Sequence, residues 1–240
     1  MPRIDRIIAR HLGLSRQDVA SRFRSGRILD ANGGVLAGTE NLPEDARVVL
    51  DGAPIQLQPH VHLLLHKPTG CVTALVDALH PTVAELVTDA PCPRDLRPIG
   101  RLDLDTSGLL LWTTDGARVQ RWAHPRRAVS RTYHASLSRP FDRAPEGLVL
   151  RDGTQPDIVD LRVLDAAEVH PALSIPRDGA QLATITIRTG AYHEVRRIFA
   201  ALGSEVVGLT RVSFGPFALP RDLAPGSWLA IDLPADPPAQ

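Results

Sequence analysis

Two stretches of helical periodicity open the chain. Isoleucine and leucine side chains recur at the spacing of an amphipathic helix over residues 3–12, and Gly13 ends that pattern. Ser15 is a favourable N-cap for a second helix, whose apolar face lies within residues 19–23 and which Gly26 ends. The pattern therefore predicts two short consecutive helices.

Extended segments follow these helices. Strand-like runs occur at residues 27–29, 35–36 and 47–50. An Asn32-Gly33-Gly34 turn separates the first two runs, and residues 53–59, which contain two prolines, predict a connector. We interpret residues 1–58 as one small domain of two helices and a small sheet, and residues 59–240 as a second, larger domain.

The larger domain contains several apolar runs of strand length. They occupy residues 61–65, 109–113, 133–137, 182–187 and 206–209. Between the last two runs, apolar side chains at helical spacing predict a helix over residues 194–202, with Gly203 as its stop. We therefore expect both strands and helices in this domain.

Residues 100–108 combine residue types that neither a plain strand nor a plain helix needs. They read Gly-Arg-Leu-Asp-Leu-Asp-Thr-Ser-Gly and lead directly into the apolar run 109–113. Thr106-Ser107-Gly108 predicts a turn at the head of that strand. From the residues alone two interpretations remain open: Asp103 and Asp105 form the turn, or they are reactive groups presented at the edge of a rigid strand.

The distribution of charge points to a class of partner. The 240 residues carry no formal net charge, yet residues 1–27 hold seven arginines against two aspartates, and residues 117–140 hold six arginines and no acidic residue. Two basic segments in a neutral chain suit contacts with phosphate groups better than a uniformly charged surface would. We therefore expect a nucleic acid as the partner.

Cysteine content and hydropathy bear on where the protein works. Cys71 and Cys92 do not form a Cys-x-x-Cys pair, and no apolar run approaches the roughly 20 residues that span a bilayer. These features predict a cytoplasmic protein without membrane attachment. His60, His62 and His66 could be read as metal ligands, but no cysteine or carboxylate completes the set at the usual spacing, so we expect no metal.

Four motifs carry a family resemblance. They are Lys67-Pro68-Thr69-Gly70, Gly100 to Gly108, Arg131-Thr132-Tyr133, and Gly190-Ala191-Tyr192-His193-Glu194-Val195-Arg196-Arg197. In this order and spacing they resemble the pseudouridine synthases, in the branch with an N-terminal S4 module, over residues 63–219. The resemblance implies an α+β fold with a largely antiparallel mixed sheet. It also implies an isomerase without a cofactor, which converts a uridine to pseudouridine in small-subunit ribosomal RNA or in a ribosomal assembly intermediate.

The resemblance implies catalytic roles for three residues. Asp103 matches the family's catalytic aspartate, which acts as a nucleophile or as a base. Tyr133 matches the aromatic residue that lies against the flipped target base, and Arg196 matches the basic residue that pairs with the aspartate and keeps it ionised. We then expect Asp105 to support the turn and not to act as a second catalyst.

Substrate contacts are also implied. The residues expected to contact the substrate are Lys67, Arg101, Arg131, Arg197 and Leu209. Lys67 and Arg101 would contact phosphate or backbone groups of the RNA, and Leu209 would form an apolar wall of the base pocket. Ala191 stands where the family commonly has arginine, which implies one RNA contact fewer.

The first 58 residues resemble the S4 RNA-binding module. The resemblance rests on Arg3-Ile4-Asp5, Leu14-Ser15-Arg16 and Ser25-Gly26-Arg27. The arginines of this segment that we expect to bind RNA are Arg3, Arg16, Arg22, Arg24 and Arg27. We expect the whole protein to act as a monomer.

Three alternatives remain open. A large-subunit ribosomal RNA synthase of the same branch would share every motif. An RNA-binding assembly factor would keep the fold without turnover. A glycoside hydrolase would use Asp103 and Asp105 as paired carboxylates, but two neighbouring turn residues rarely face each other across a sugar.

Overall fold

The computed structural model describes residues 3–41, 43, 46–57, 60–176 and 181–238. Those ranges contain the α-helices α1 (Ile4–Leu12), α2 (Arg16–Arg24), α3 (Gly116–Ala123) and α4 (Glu194–Ala201). They also contain the strands β1 (Ile28–Asp30), β2 (Arg47–Leu50), β3 (Ala53–Gln56), β4 (His62–Lys67), β5 (Arg97–Ile99), β6 (Thr106–Thr113), β7 (Arg131–Leu137), β8 (Ile158–Val163), β9 (Gln181–Ile187), β10 (Val206–Phe214), β11 (Phe217–Ala218) and β12 (Trp228–Ala230). None of the described helices is long and apolar enough to cross a bilayer.

The N-terminal segment folds around an apolar cluster of its own. Both predicted helices are present: Gly13, in the left-handed conformation, ends α1, and the Ser15 hydroxyl caps α2 by accepting from the Asp18 N–H at 3.1 Å. The apolar faces of both helices pack with residues of an antiparallel sheet in the order β1-β2-β3. Val19 and Phe23 lie in this cluster.

The connector predicted over residues 53–59 is wrong in its first half. Residues 53–56 form β3, whose register pairs Arg47 with Gln56, while residues 58 and 59 lie outside the described residues. Pro54 discouraged a strand assignment, but β3 is the edge strand of its sheet, where a missing N–H leaves no ladder bond unmade. The domain boundary expected after residue 58 therefore follows a sheet edge.

The remaining described strands build one large sheet. Its order is β12-β4-β6-β10-β7-β9-β8, with β5 added beside β6 and β11 beside β10. Within the described ranges β6 and β10 run parallel and the other pairs of this sheet are antiparallel. The expected α+β fold with a largely antiparallel mixed sheet is thus confirmed.

Strand β6 is apolar at successive positions because both faces of the sheet are covered. Leu110 and Trp112 join the cluster that contains the apolar face of α4. Leu109 and Leu111 point to the opposite face and join the cluster around Trp122 of α3. A strand buried on both sides is expected to be continuously apolar, without alternation.

The turn predicted at Thr106-Ser107-Gly108 lies one step too late in the chain. These residues are the first three of β6 and pair in parallel with Leu209, Thr210 and Arg211 of β10. The turn precedes them, where the Thr106 N–H donates to the Asp103 carbonyl at 3.2 Å. Glycine is needed at position 108 because a Cβ there would stand 2.3 Å from the Arg211 carbonyl oxygen.

Candidate active site

A cavity of about 370 Å³ opens where the start of β6 meets the start of α4. Its volume suits a small ligand such as a nucleoside. The residues on its wall that the sequence assigned to catalysis or substrate binding are Arg101, Asp103, Arg131, Tyr133, Arg196 and Leu209. Lys67 and Arg197 were assigned with them, but they are not on this wall.

Lys67 supports the loop between β5 and β6, residues 100–105, which carries Asp103 and is called the Asp103 loop below. It is fully buried at the end of β4, and its Nζ donates to the carbonyl oxygens of Asp103 and Thr106 at 2.8 Å and of Pro68 at 3.0 Å. Burial lowers the pKa of this ammonium, while the neighbouring Cys71 and Asp103 raise it. The three hydrogen bonds of Lys67 all go to backbone carbonyls, which differs from the phosphate contact that we expected of it.

The same loop is pinned by the segment that follows Lys67. The Thr73 hydroxyl donates to the Leu102 carbonyl at 2.7 Å and accepts from the Leu102 N–H at 3.0 Å. The Gly70 N–H donates to the Leu104 carbonyl at 2.8 Å. The residues on both sides of Asp103 are thus held by hydrogen bonds to their main-chain atoms, so the carboxylate is presented from a rigid support.

The partners of Asp103 and Arg196 differ from the expected pair. Arg196 Nη2 lies 2.8 Å from Asp105 Oδ2, and Arg196 Nη1 donates to the Val206 carbonyl at 2.9 Å. Asp103 Oδ1 instead lies 3.5 Å from His193 Nε2. His193 is the N-cap of α4, and Arg196 lies three residues farther along, so the two side chains reach different carboxylates of the same loop.

His193 is a site residue to which the sequence analysis gave no role. Its backbone is left-handed, with φ 49° and ψ 31°, a conformation that non-glycine residues rarely adopt. Such strain persists only where the surrounding structure enforces it, and it is concentrated at functional sites. Its place inside the fourth motif was the available signal.

Tyr133 and Leu209 form the apolar wall of the cavity. Tyr133 lies on β7 and is 8% exposed, and Leu209 lies on the neighbouring β10 and is 5% exposed. Both side chains also belong to the main apolar cluster, so their positions are determined by packing. The structure places these two predicted pocket residues together.

Arg131 and Arg197 are engaged by the protein itself. Arg131 Nη1 donates to the carbonyl oxygens of Val129 at 3.0 Å and Thr189 at 2.5 Å, and burial lowers the pKa of this guanidinium. Arg197 Nη1 donates to the Tyr192 carbonyl at 3.1 Å, and its Nη2 pairs with an aspartate. Both arginines brace the loop that leads into α4, which differs from the direct substrate contacts that we expected.

Arg211 was missed by the sequence analysis. It is 2% exposed on β10, and its Nε donates to the Leu109 carbonyl at 2.8 Å. Its Nη1 lies 3.5 Å from the Arg101 carbonyl oxygen, and its Nη2 is buried without a hydrogen-bond partner among the described residues. A charged residue within an otherwise uncharged strand was the signal that could have found it.

Exposed cations surround the cavity and the N-terminal helices. The Arg101 guanidinium is exposed at the rim and makes no hydrogen bond or ion pair with a described residue. Arg16 and Arg24 on α2 are in the same condition. The N-terminal arginines that are ion-paired are Arg3 with Asp5, Arg10 with Asp95, and Arg22 and Arg27 with Asp51.

The histidines considered as metal ligands make other contacts in the structure. His62 Nδ1 lies 2.7 Å from the Thr113 hydroxyl, and His66 Nδ1 lies 2.7 Å from the Leu223 carbonyl oxygen. Across the described ranges, no group of three or more His, Cys, Asp or Glu side chains is arranged to hold a metal ion.

Comparisons with known proteins place this geometry in a family. The sequence profile of the RNA pseudouridylate synthase family matches residues 61–201, more than half of the chain. Ribosomal small subunit pseudouridine synthase A of Yersinia pestis is 34% identical over 229 residues, which cover 94% of this chain and 93% of that protein. The protein of the same name from Escherichia coli strain K12 is 35% identical over 238 residues, which cover 94% of each.

A solved structure is similar over nearly the whole chain. It is described as a crystal structure of pseudouridylate synthase, and it superposes with a TM-score of 0.55 at 27% sequence identity. The superposition covers 97% of this chain and 96% of that one. The similarity therefore includes the N-terminal segment as well as the large sheet.

Proposed function

Because the chain belongs to the RNA pseudouridylate synthase family, we propose that it converts a uridine of small-subunit ribosomal RNA to pseudouridine with Asp103 as the catalytic carboxylate. The observation that carries the proposal is the meeting of Asp103, Tyr133 and Leu209 in one nucleoside-sized cavity. The choice of small-subunit RNA is supported by the names of the relatives that match 94% of the chain.

The cavity offers what the isomerisation requires. The target base leaves its stack in the RNA, and Tyr133 with Leu209 replaces the lost apolar contacts. Asp103 acts on the ribose or on the base as nucleophile or base while the N-glycosidic bond breaks, the base turns, and a carbon–carbon bond to the sugar forms. His193, 3.5 Å from Asp103 Oδ1, orients the carboxylate during these steps.

Mapping of modified bases tests this proposal. Ribosomal RNA from a deletion strain is compared with RNA from strains complemented with the wild-type gene or with Asp103→Asn. We expect one small-subunit position to lose pseudouridine and to regain it with the wild type alone, because an amide can act neither as nucleophile nor as base. Thermal unfolding of purified Asp103→Asn serves as the control for folding.

The other outcomes select the alternatives. Loss at a large-subunit position would identify the substrate as large-subunit RNA. An unchanged pattern would contradict the proposal, and wild-type protein that binds ribosomal RNA without forming product would indicate an RNA-binding assembly factor.

We further propose that residues 1–58 form an S4-like RNA-binding domain beside a catalytic domain of residues 59–240. This division is supported by a separate apolar cluster and by the exposed Arg16 and Arg24, which have no partner among the described residues. Replacing both arginines with glutamate should weaken ribosomal RNA binding and reduce the dependence of log K on log salt by about 0.7–0.9 per lost phosphate contact. Arg143→Glu is the matched control, since Arg143 is also exposed and follows Asp142, whose N–H donates to the carbonyl of Leu202 at the C-terminal end of α4.

The partner and the location follow from this role. We propose that the protein acts as a monomer in the cytoplasm, on ribosomal RNA that is free or part of an assembly intermediate. Light scattering after size-exclusion chromatography tests the oligomeric state, because a monomer elutes with the mass of 26.0 kDa.

A further inference from the structure

A pair of stacked rings lies at the mouth of the cavity. Tyr192 and His193 stack with ring centroids 3.8 Å apart and an interplanar angle of 16°, and both residues line the cavity. His193 in turn contacts Asp103. Tyr192 is 77% exposed, so the ring is covered by His193 on one face and is open to solvent elsewhere.

The sequence makes this exposure unusual. The chain contains two tyrosines, Tyr133 and Tyr192, and both line the same cavity although one is buried and the other is exposed. An exposed aromatic ring that packs on another ring, and not on the apolar core, contributes little to folding. Tyr192 therefore has a contact area that the protein itself does not use.

The backbone that carries Tyr192 is held at both ends. The buried Glu194 accepts from the Ala191 N–H at 2.8 Å and from the Thr189 hydroxyl at 2.5 Å. Arg197 Nη1 donates to the Tyr192 carbonyl at 3.1 Å. A ring in a fixed position loses little conformational entropy when a ligand stacks on it.

We propose that the open face of Tyr192 is a stacking site for a nucleobase of the RNA next to the target uridine. The inference rests on the proposed function and adds a second base subsite to the Asp103 cavity. An aromatic face accepts any base, and the exposed Arg101 guanidinium on the same rim is placed to meet the phosphate that joins the two nucleotides. Aromatic platforms and nearby cations together are typical of single-strand recognition.

Binding measurements on short RNAs test the subsite without turnover. The probe is a labelled single-stranded RNA with one uridine between adenines, together with versions that have an abasic nucleotide on the 5′ or the 3′ side of the uridine. Tyr192→Ala should weaken binding of the intact probe about fivefold or more, the order of affinity that base–aromatic stacking provides, and Tyr192→Leu should do the same because it lacks a planar ring. Tyr192→Phe should bind within about twofold of the wild type.

The abasic probes separate stacking from a merely structural role of Tyr192. For the wild type, one of the two abasic probes should bind as weakly as the intact probe binds to Tyr192→Ala. For Tyr192→Ala, removal of that base should have no further effect, because the partner of the base is already gone. Val163→Ala is the control and should bind like the wild type. Val163 is exposed and is the last residue of β8.

Other results would overturn the inference. They are a wild type that binds none of the probes or binds all three equally, a Tyr192→Ala variant that binds the intact probe like the wild type, or independent losses from the protein change and the RNA change. Since these measurements do not require product formation, they can fail while base mapping supports the proposed function, and they can succeed while it does not.

Discussion

Replacing the single lysine of the chain by methionine tests how the Asp103 loop is supported. Lys67 is fully buried, and its Nζ donates to three carbonyl oxygens. Two of these belong to Asp103 and Thr106, the first and last residues of the turn before β6. Methionine has a similar length and no donor, so all three carbonyls lose the hydrogen bond from Nζ. We expect a loss of stability and, more strongly, a loss of turnover.

The magnitude follows from the contacts. A hydrogen bond to a charged group contributes roughly 1.5–3 kcal/mol, while removing an ammonium from water costs several kcal/mol, and a buried methionine recovers part of the loss through its own apolar surface. The free energy of unfolding of Lys67→Met should therefore fall by about 2–4 kcal/mol, which lowers Tm by roughly 5–15 °C. A displacement of Asp103 by 1 Å would reduce kcat by about 100-fold.

The assay compares Lys67→Met with Arg101→Met. Thermal unfolding, ribosomal RNA affinity at several salt concentrations, and kcat are measured for both variants at a temperature where each is folded. Arg101 is exposed at the cavity rim, so its replacement should weaken RNA binding and its salt dependence without a change in Tm. Lys67→Met should show the reverse, with affinity within about threefold of the wild type.

A single result would refute this reasoning. If Lys67→Met keeps the wild-type Tm but binds RNA more weakly and with a smaller salt dependence, then Lys67 contacts phosphate after all. The hydrogen bonds to the loop would then be without energetic consequence.

Two further predictions concern the sheet. Gly108→Ala should prevent folding or lower the free energy of unfolding by about 4 kcal/mol or more, because the new Cβ meets the Arg211 backbone at 2.3 Å. Gly116→Ala is the control: its Cβ would have no atom within 4 Å, so the free energy of unfolding, measured in urea, should change by less than about 1 kcal/mol. Burial lowers the pKa of His134 to about 4. Between pH 6.5 and 4 the imidazole is therefore protonated in the unfolded chain but neutral in the folded protein, and stability falls as the pH falls through that range. His134→Asn keeps an acceptor for the backbone N–H of His170, which donates to His134 Nδ1 at 3.1 Å. Between pH 7 and pH 4.5 its free energy of unfolding should fall by about 2 kcal/mol less than that of the wild type. The same pH dependence of stability in both proteins would contradict this assignment.

Helices and the central strand could be predicted because their signals are local. The apolar periodicity of α1 and α4 and the unbroken apolar run of β6 each report burial along one element. The edge strand β3 was missed because its pairing with β2 depends on a neighbour that residues 53–56 do not encode by themselves. Thr106-Ser107-Gly108 was assigned to a turn for the same reason, since these residues pair with β10 and Gly108 allows the close approach of Arg211.

The motifs by themselves determined the family resemblance, and the resemblance in turn predicted the fold with a large sheet and a site that contains Asp103, Tyr133 and Leu209. Only the tertiary structure decided which cations line the cavity. It buried Lys67 against the loop that carries Asp103, joined Arg196 to Asp105, and placed His193 beside Asp103. A long side chain can reach partners in several directions, and which carbonyl or carboxylate lies within reach is settled by strands that are distant in sequence.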